Sequence, residues 1–182
     1  RDGDPDAQIW IARRYWWGHG GVDQDPDMAR QYFQLAADQN HPEGLYNMGV
    51  MHMNGAGGAA LDYERALHYF RRAADHEHPF HMAQHAMGNH YRFLNTAHPQ
   101  KDQIMAATYF KKAADAGNAD SQYVLAIMLK DGHGTPDGRP DIPSALRYMA
   151  RAASTGHVRS MNYMSHGLYD PESWLGHFAR TQ

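Results

Sequence analysis

The feature that most constrains this chain is that it repeats itself. The segments ARQYFQLAADQNHP from Ala29, ALHYFRRAADHEHP from Ala66, AATYFKKAADAGNA from Ala106 and ALRYMARAASTGHV from Ala145 align without gaps. Their paired alanines, Ala36–Ala37, Ala73–Ala74, Ala113–Ala114 and Ala152–Ala153, recur at spacings of 37, 40 and 39 residues. A period of that length marks a supersecondary unit that cannot bury its apolar face alone and is stable only when stacked on its neighbours. In each copy the first Ala, the Tyr, the next aromatic or Met and the first of the paired Ala fall at i, i+3, i+4 and i+7. That spacing is one face of an amphipathic helix, here called helix B.

A second helix, helix A, is expected before each helix B. AQIWIARRYWWGHG from Ala7, GLYNMGVMHMNGAG from Gly44 and SQYVLAIMLKDGHG from Ser121 also superpose without gaps. Each begins on a small residue, carries an apolar–small pair four positions on (Ile11–Ala12, Met48–Gly49, Leu125–Ala126) and closes on two glycines. Glycine just past a helix end enters the left-handed conformation without steric cost and stops the helix. The unit is therefore helix A, a glycine-marked loop, helix B and a short turn.

These units resemble Sel1-like repeats, relatives of the tetratricopeptide repeat with a longer glycine-marked loop. The resemblance implies an all-α, right-handed solenoid of about four and a half repeats in one array over residues 1–182. The repeats are placed at about 5–41, 42–78, 79–118 and 119–157, with a partial repeat at 158–170 and a cap or tail at 171–182. Three departures stand out. The third copy has Leu94 and Thr96 where the loop glycines belong, the fourth has the longer loop DGHGTPDGRPDIP, and the fifth meets Pro171 at its first loop glycine. The start RDGDPDAQ is no signal peptide and reads as entry in mid-architecture, the mark of a mature form or an excerpt of a longer chain.

Stacked repeats would line a concave surface with successive helices A. By the resemblance, one row facing it is Ile9, Tyr46, His85, Tyr123 and Asn162; a second is Arg13, Val50, Asn89 and Ile127; a third is Trp16, Met53, Arg92 and Lys130. Aromatic, Met and Arg side chains anchor protein interfaces. The partner-binding candidates are thus Ile9, Arg13, Trp16, Tyr46, Met53, His85, Asn89, Arg92, Tyr123 and Lys130, the alternative for each being packing between neighbouring helices. Adjacent Trp16 and Trp17 cannot both face one core, so one of them is expected to be exposed. The function implied is a non-enzymatic scaffold or adaptor that holds a protein or peptide segment, or else a structural segment of a larger assembly.

The chemical alternative rests on HPFHMAQHAMGNHY, residues 78–91. Imidazole is the commonest metal ligand, and His78, His81 and His85 fall on one helical face, enough for a divalent transition metal with an open position. Against it, three ligands on successive turns of one helix converge poorly, and no carboxylate stands at helical spacing to orient a ring. His78 before Pro79 also reads as a helix N-cap, with Pro79 in the first turn. Compared with its siblings this helix A carries two extra residues, so Ala83 takes the slot of Gly44 and His90 that of Met51. The glycines of GAGG at 55–58 belong to the repeat loop, since no strand precedes them and no Gly-Lys-Ser/Thr follows. Asp23, Asp25 and Asp27 are expected at a helix start rather than around calcium.

Composition narrows the remaining classes. A net charge of −3 from 17 basic and 20 acidic residues, well mixed, provides no basic face for nucleic acid. No cysteine is present, which excludes disulfides, thiolate metal sites and a Cys nucleophile. The longest apolar run, YVLAIML, is too short to span a bilayer. The compartment stays open; by the resemblance, the endoplasmic-reticulum lumen, the secreted space and the bacterial cell envelope are all candidates.

Overall fold

The computed structural model describes residues 3–94 and 98–167, and all of their regular structure is helical. Five helices A alternate with four helices B among these residues. They are α1 (Pro5–Trp17), α2 (Pro26–Asp38), α3 (Pro42–Asn54), α4 (Tyr63–Ala74), α5 (His81–Phe93), α6 (Pro99–Asp115), α7 (Ala119–Lys130), α8 (Ile142–Ser154) and α9 (Val158–Gly167). The chain is an all-α repeat solenoid in which α1, α3 and α7 pack on the helix B that follows them, and α3, α7 and α9 on the helix B before them. It divides into two compact units that meet in sequence within α5, the first ending at Met87 and the second starting at Gly88. The predicted cap or tail at 171–182, Pro171 and Thr96 lie outside the described residues.

Local signals place the helix ends. Asp4, Asp25, Asp62, Asn118 and Asp141 each accept a backbone N–H of the following first turn, a contact whose loss costs about 1 kcal/mol. Asp25 therefore acts as the expected cap of α2, donated to by Met28 N at 2.9 Å. Gly18 and Gly55 end α1 and α3 at φ 66° and 64°, where a side chain would be strained.

The repeated helix-B face forms the core. Ala29, Ala66, Ala106 and Ala145 are fully buried, as are Ala36, Ala73, Ala113 and Ala152. Between them Phe33, Phe70, Phe110 and Met149 are at most 2% exposed. Helix A meets these rings with its smallest residue: a Cβ on Gly49 would stand 2.6 Å from the Phe70 ring, and one on Gly88 2.7 Å from the Phe110 ring. Ala12 and Ala126 fill the same slot with zero exposure. The methionines expected in helix-A core slots are there, with Met48, Met51 and Met128 each 1% exposed.

A second recurrent contact ties each hairpin together from the side. Tyr15 stacks on Tyr32 (ring centroids 6.0 Å, planes 8° apart), His52 on Tyr69 (5.7 Å, 8°) and Tyr91 on Tyr109 (5.7 Å, 9°). The fourth repeat has Leu129 in that slot, packed against the core cluster that contains the buried Tyr148. His52 is buried and its Nδ1 lies 3.0 Å from the Ala60 carbonyl oxygen, so this ring is part of the hairpin packing.

The insertion before α5 resolves differently from the sequence expectation. His78 is not an N-cap and Pro79 is not in the helix; α5 begins at His81. Phe80 takes the junction slot, its N–H donated to the Ala73 carbonyl at 3.1 Å, as His41 N–H is to Ala36 and Asn118 N–H to Ala113. The reason is packing. Phe80 lies on Tyr46 with ring centroids 5.1 Å apart, and the two extra residues are absorbed in the turn before it.

Phe110→Ala is expected to cost about 3–5 kcal/mol, a transfer term plus a cavity the alanine rows cannot fill. Phe93→Ala, at a site 75% exposed, should stay within about 0.5 kcal/mol of the parent. Urea denaturation of the two variants checks both values.

Candidate interaction surface

The helix-A face is positioned by ties that cross from one repeat to the next. In the first unit His41 Nε2 lies 3.2 Å from Asp6 Oδ1, and in the second His157 Nε2 lies 3.1 Å from Asp120 Oδ1. Both histidines occupy the junction slot, and both aspartates stand in the first turn of the previous helix A. His157 Nδ1 accepts the Ser160 backbone N–H at 3.2 Å, so in the neutral ring Nε2 carries the proton and donates it to Asp120. Like His52, both histidines have a structural role, and neither is singled out by the sequence analysis. The findable signal was an Asp in the second helical position followed 35 or 37 residues later by a junction His.

Glutamines form a second tie. Gln122 Nε2 donates to the Ala114 carbonyl at 2.9 Å, and Gln84 Nε2 to that of Ala74 at 3.4 Å. Each amide thereby serves one of the carbonyls that a helix C-terminus leaves without an intrahelical donor. Arg151 Nη2 adds a donor to Ala114 at 3.3 Å. Both glutamines are buried, and their Oε1 atoms have no hydrogen-bond partner. In the second repeat the slot holds Leu45, fully buried.

The predicted binding residues fall into two groups. Ile9 is only 4% exposed and belongs to the core, because its slot is the wedge between one helix A and the junction residue of the next. Tyr46 and Tyr123 share that slot and are half-buried, Tyr46 against Phe70 and Phe80, Tyr123 against the His157 ring at 5.3 Å. Burial pushes the Tyr46 hydroxyl above its ordinary pKa. His85 and Asn89 are half-buried on α5.

Of the outer rows Arg13 and Met53 are exposed and the rest are half-buried. In the first unit Met53 is 39% and Trp17 64% exposed, while Trp16 is half-buried and meets Trp17 edge-on at 6.5 Å. Of the adjacent tryptophans it is thus Trp17 that faces out. Arg13 lies beside them and pairs with the largely covered Glu43 of α3, Nε to Oε1 at 2.7 Å. In the second unit Arg92 stands over the exposed Phe93 ring at 5.4 Å, and Lys130 pairs with Asp131 at 2.6 Å. The Asp131 hydrogen bond holds the Lys130 ammonium above its ordinary pKa.

One carboxylate on the helix-B side gathers three donors. Asp115 accepts from Lys111 at 2.7 Å, Tyr148 at 3.0 Å and Arg151 at 3.4 Å. Burial alone would raise its pKa, but the bonds from Lys111, Tyr148 and Arg151 together outweigh burial and hold the carboxyl below its ordinary value.

The histidine cluster does not converge. His78 lies in the turn, where its backbone N–H bonds His76 Nδ1 at 3.0 Å, His81 opens α5, and His85 follows one turn later. Among the described residues no three His, Asp or Glu side chains are arranged to hold a metal ion. No helix among them is long and apolar enough to cross a membrane.

With this geometry established, likeness to known proteins is informative. The Sel1 repeat family model matches residues 5–41, 42–78, 81–118 and 119–157, and the chain belongs to the Sel1 repeat family. Sel1 repeats are generally protein–protein interaction modules. A Sel1 repeat protein from Oxalobacter formigenes, solved by crystallography, is 34% identical with a TM-score of 0.76, over 90% of this chain and 45% of that one. A second crystal structure, of c5321, a protective antigen present in uropathogenic Escherichia coli strains and displaying an SLR fold, is 28% identical with a TM-score of 0.68. It is matched over 88% of this chain and 34% of its own. The chain thus spans less than half the length of either protein.

Two outcomes follow from the ties. Gln122→Leu, which imports the side chain of the Leu45 slot, should leave stability within about 1 kcal/mol because Ala114 keeps its Arg151 donor, whereas Gln122→Ala should lose about 1–3 kcal/mol. Urea titration separates the two. A carboxyl with a lowered folded-state pKa contributes stability above its unfolded value and loses it as pH falls through the folded one. The parent should therefore lose stability below about pH 4 more steeply than Asp115→Asn, as urea midpoints measured across that range would record.

Proposed function

We propose that the chain is a non-enzymatic adaptor whose outer helix-A rows capture a segment of a protein partner. The observation that carries this reading is that Arg13 and Trp17 on α1 and Met53 on α3 are exposed, with Trp16 half-covered. These four side chains carry no core load comparable to the phenylalanine row, yet they are of the types that dominate interface energetics. Arg13 is held in place by Glu43, which limits the rotamer entropy lost on binding. Within the second unit, Arg92, Phe93 and Lys130 are side chains of similar chemistry. Tyr46 and Tyr123 support the surface from below by setting the spacing of adjacent helices A. No cofactor enters this reading, and membership of a family of interaction modules supports it.

Affinity capture with mass spectrometry would identify the partner, and titration calorimetry would then compare the parent with a Trp17→Ala, Met53→Ala double variant. Affinity is expected to fall by at least about 2 kcal/mol, with the helical circular-dichroism signal unchanged. Equal affinity for parent and variant would move the site off these rows.

A further inference from the structure

The first unit holds an open cavity of about 540 Å³, a volume in the range of small-molecule sites. It is lined by Asn40 from the turn after α2, by His68, Arg71 and Arg72 on α4, and by Asp75, His76 and Glu77 where that helix ends. His68, Arg71 and Arg72 stand at i, i+3 and i+4, so α4 presents them on one face. The cavity shares no residue with the helix-A rows.

The second unit shows what the same slots do when they serve structure alone. Lys111, in the slot of Arg71, closes on Asp115 at 2.7 Å, and Arg151, in the slot of Arg72, reaches Asp115 at 3.4 Å. In the first unit neither closure forms. Asp38, which holds the slot of Asp115 on α2, accepts Gln34 Nε2 at 2.7 Å. Arg72 donates instead to a neutral oxygen, Asn40 Oδ1, at 2.9 Å. Among the described residues, neither Arg71 nor Arg72 has a carboxylate within ion-pair distance.

Asn40 is held there against its backbone preference. Among the described residues it is the one non-glycine with positive φ, at 61°, where the sibling turns place Gly117 at 93° and Gly156 at 84°. A side chain in that conformation is strained. The one retained here turns its Oδ1 to Arg72, which leaves Nδ2 as the remaining donor. His76 is fixed in the same sense. Its Nδ1 accepts the His78 backbone N–H at 3.0 Å, so the neutral ring carries its proton on Nε2.

We infer that this cavity binds a phosphate group, held by the Arg71 and Arg72 guanidiniums with Asn40 Nδ2 and His76 Nε2–H as further donors. Two guanidiniums and two neutral donors suit a doubly charged group with three free oxygens better than a carboxylate with two. Asp75 and Glu77 offset the positive charge of the lining. Binding therefore rests on directed hydrogen bonds rather than on the field alone, and chloride gains little from it. The site is independent of the adaptor reading.

The test titrates inorganic phosphate into the full chain at fixed pH and ionic strength, chloride being the balancing anion, while NMR follows the histidine ring protons. The His68 and His76 signals should shift saturably while those of His41 and His157 stay in place. Arg71→Gln changes an exposed side chain and should leave the Tm unaltered. It should weaken phosphate about tenfold or more, the worth of one charge-assisted hydrogen bond. Asn40→Gly, importing the residue of the sibling turns, should weaken phosphate severalfold while the Tm holds. A short neutral peptide carrying one phosphoserine separates the sources of the group. Tighter binding than inorganic phosphate assigns the site to phosphorylated protein segments, and equal or weaker binding to a small phosphate. Absence of a saturable shift at His68 and His76 would overturn the proposal, as would phosphate binding unchanged by Arg71→Gln or by Asn40→Gly.

Discussion

The close approach of one bulky side chain on helix B to one minimal residue on helix A is the contact on which the rest of this structure depends. Phe70 over Gly49 and Phe110 over Gly88 leave no room for a Cβ, and the alanines flanking each ring on helix B are equally confined. Interiors packed at this density answer to a single methylene. The hairpin angle is therefore set by a few residues per repeat, and the aromatic stacks such as Tyr91 on Tyr109 keep the two helices from slipping along each other.

Once the hairpin is rigid, the junction decides how the next one is placed. The glutamine amides at Ala74 and Ala114 and the imidazoles at Asp6 and Asp120 bind polar groups that a helix end or first turn leaves open. Their energetic value differs. A buried amide that serves a helix carbonyl stabilises, yet it also leaves its own oxygen without a partner, so Leu45 can replace it at little cost. The His–Asp contacts are largely exposed on the Asp side and fix geometry more than they add stability. The helix-A rows above them are held by this scaffold, which leaves Arg13 and Trp17 exposed.

Much of this was legible in the sequence because a repeat reports each slot several times. Four copies of the Ala–Tyr–aromatic–Ala spacing identified helix B and its buried face; the glycine pairs identified the loop; and adjacency of Trp16 and Trp17 required one to be exposed. Where a slot mixes roles, the sequence left the concave face and inter-helix packing both open. Ile9, Tyr46 and Tyr123 share a register position assigned to the concave face, but that position is a wedge against the next junction residue, so Ile9 is core and the tyrosines are half-buried. The glutamine ties were invisible, and the His–Asp ties were marked only by the spacing of an Asp to a junction His, because each joins residues of different repeats and a single sequence does not show which side chains face one another across a junction.

Periodicity and small-residue placement, both local properties of the chain, determined by themselves that this protein is a stack of two-helix units and which faces those units bury. Tertiary structure decided the rest. It started α5 at His81 because Phe80 had to reach Tyr46, it left His78 in the turn before that helix, and it left Trp17 and Trp10 outside. Helical register places a residue on a face, but only the neighbouring repeat determines whether that face meets protein or water.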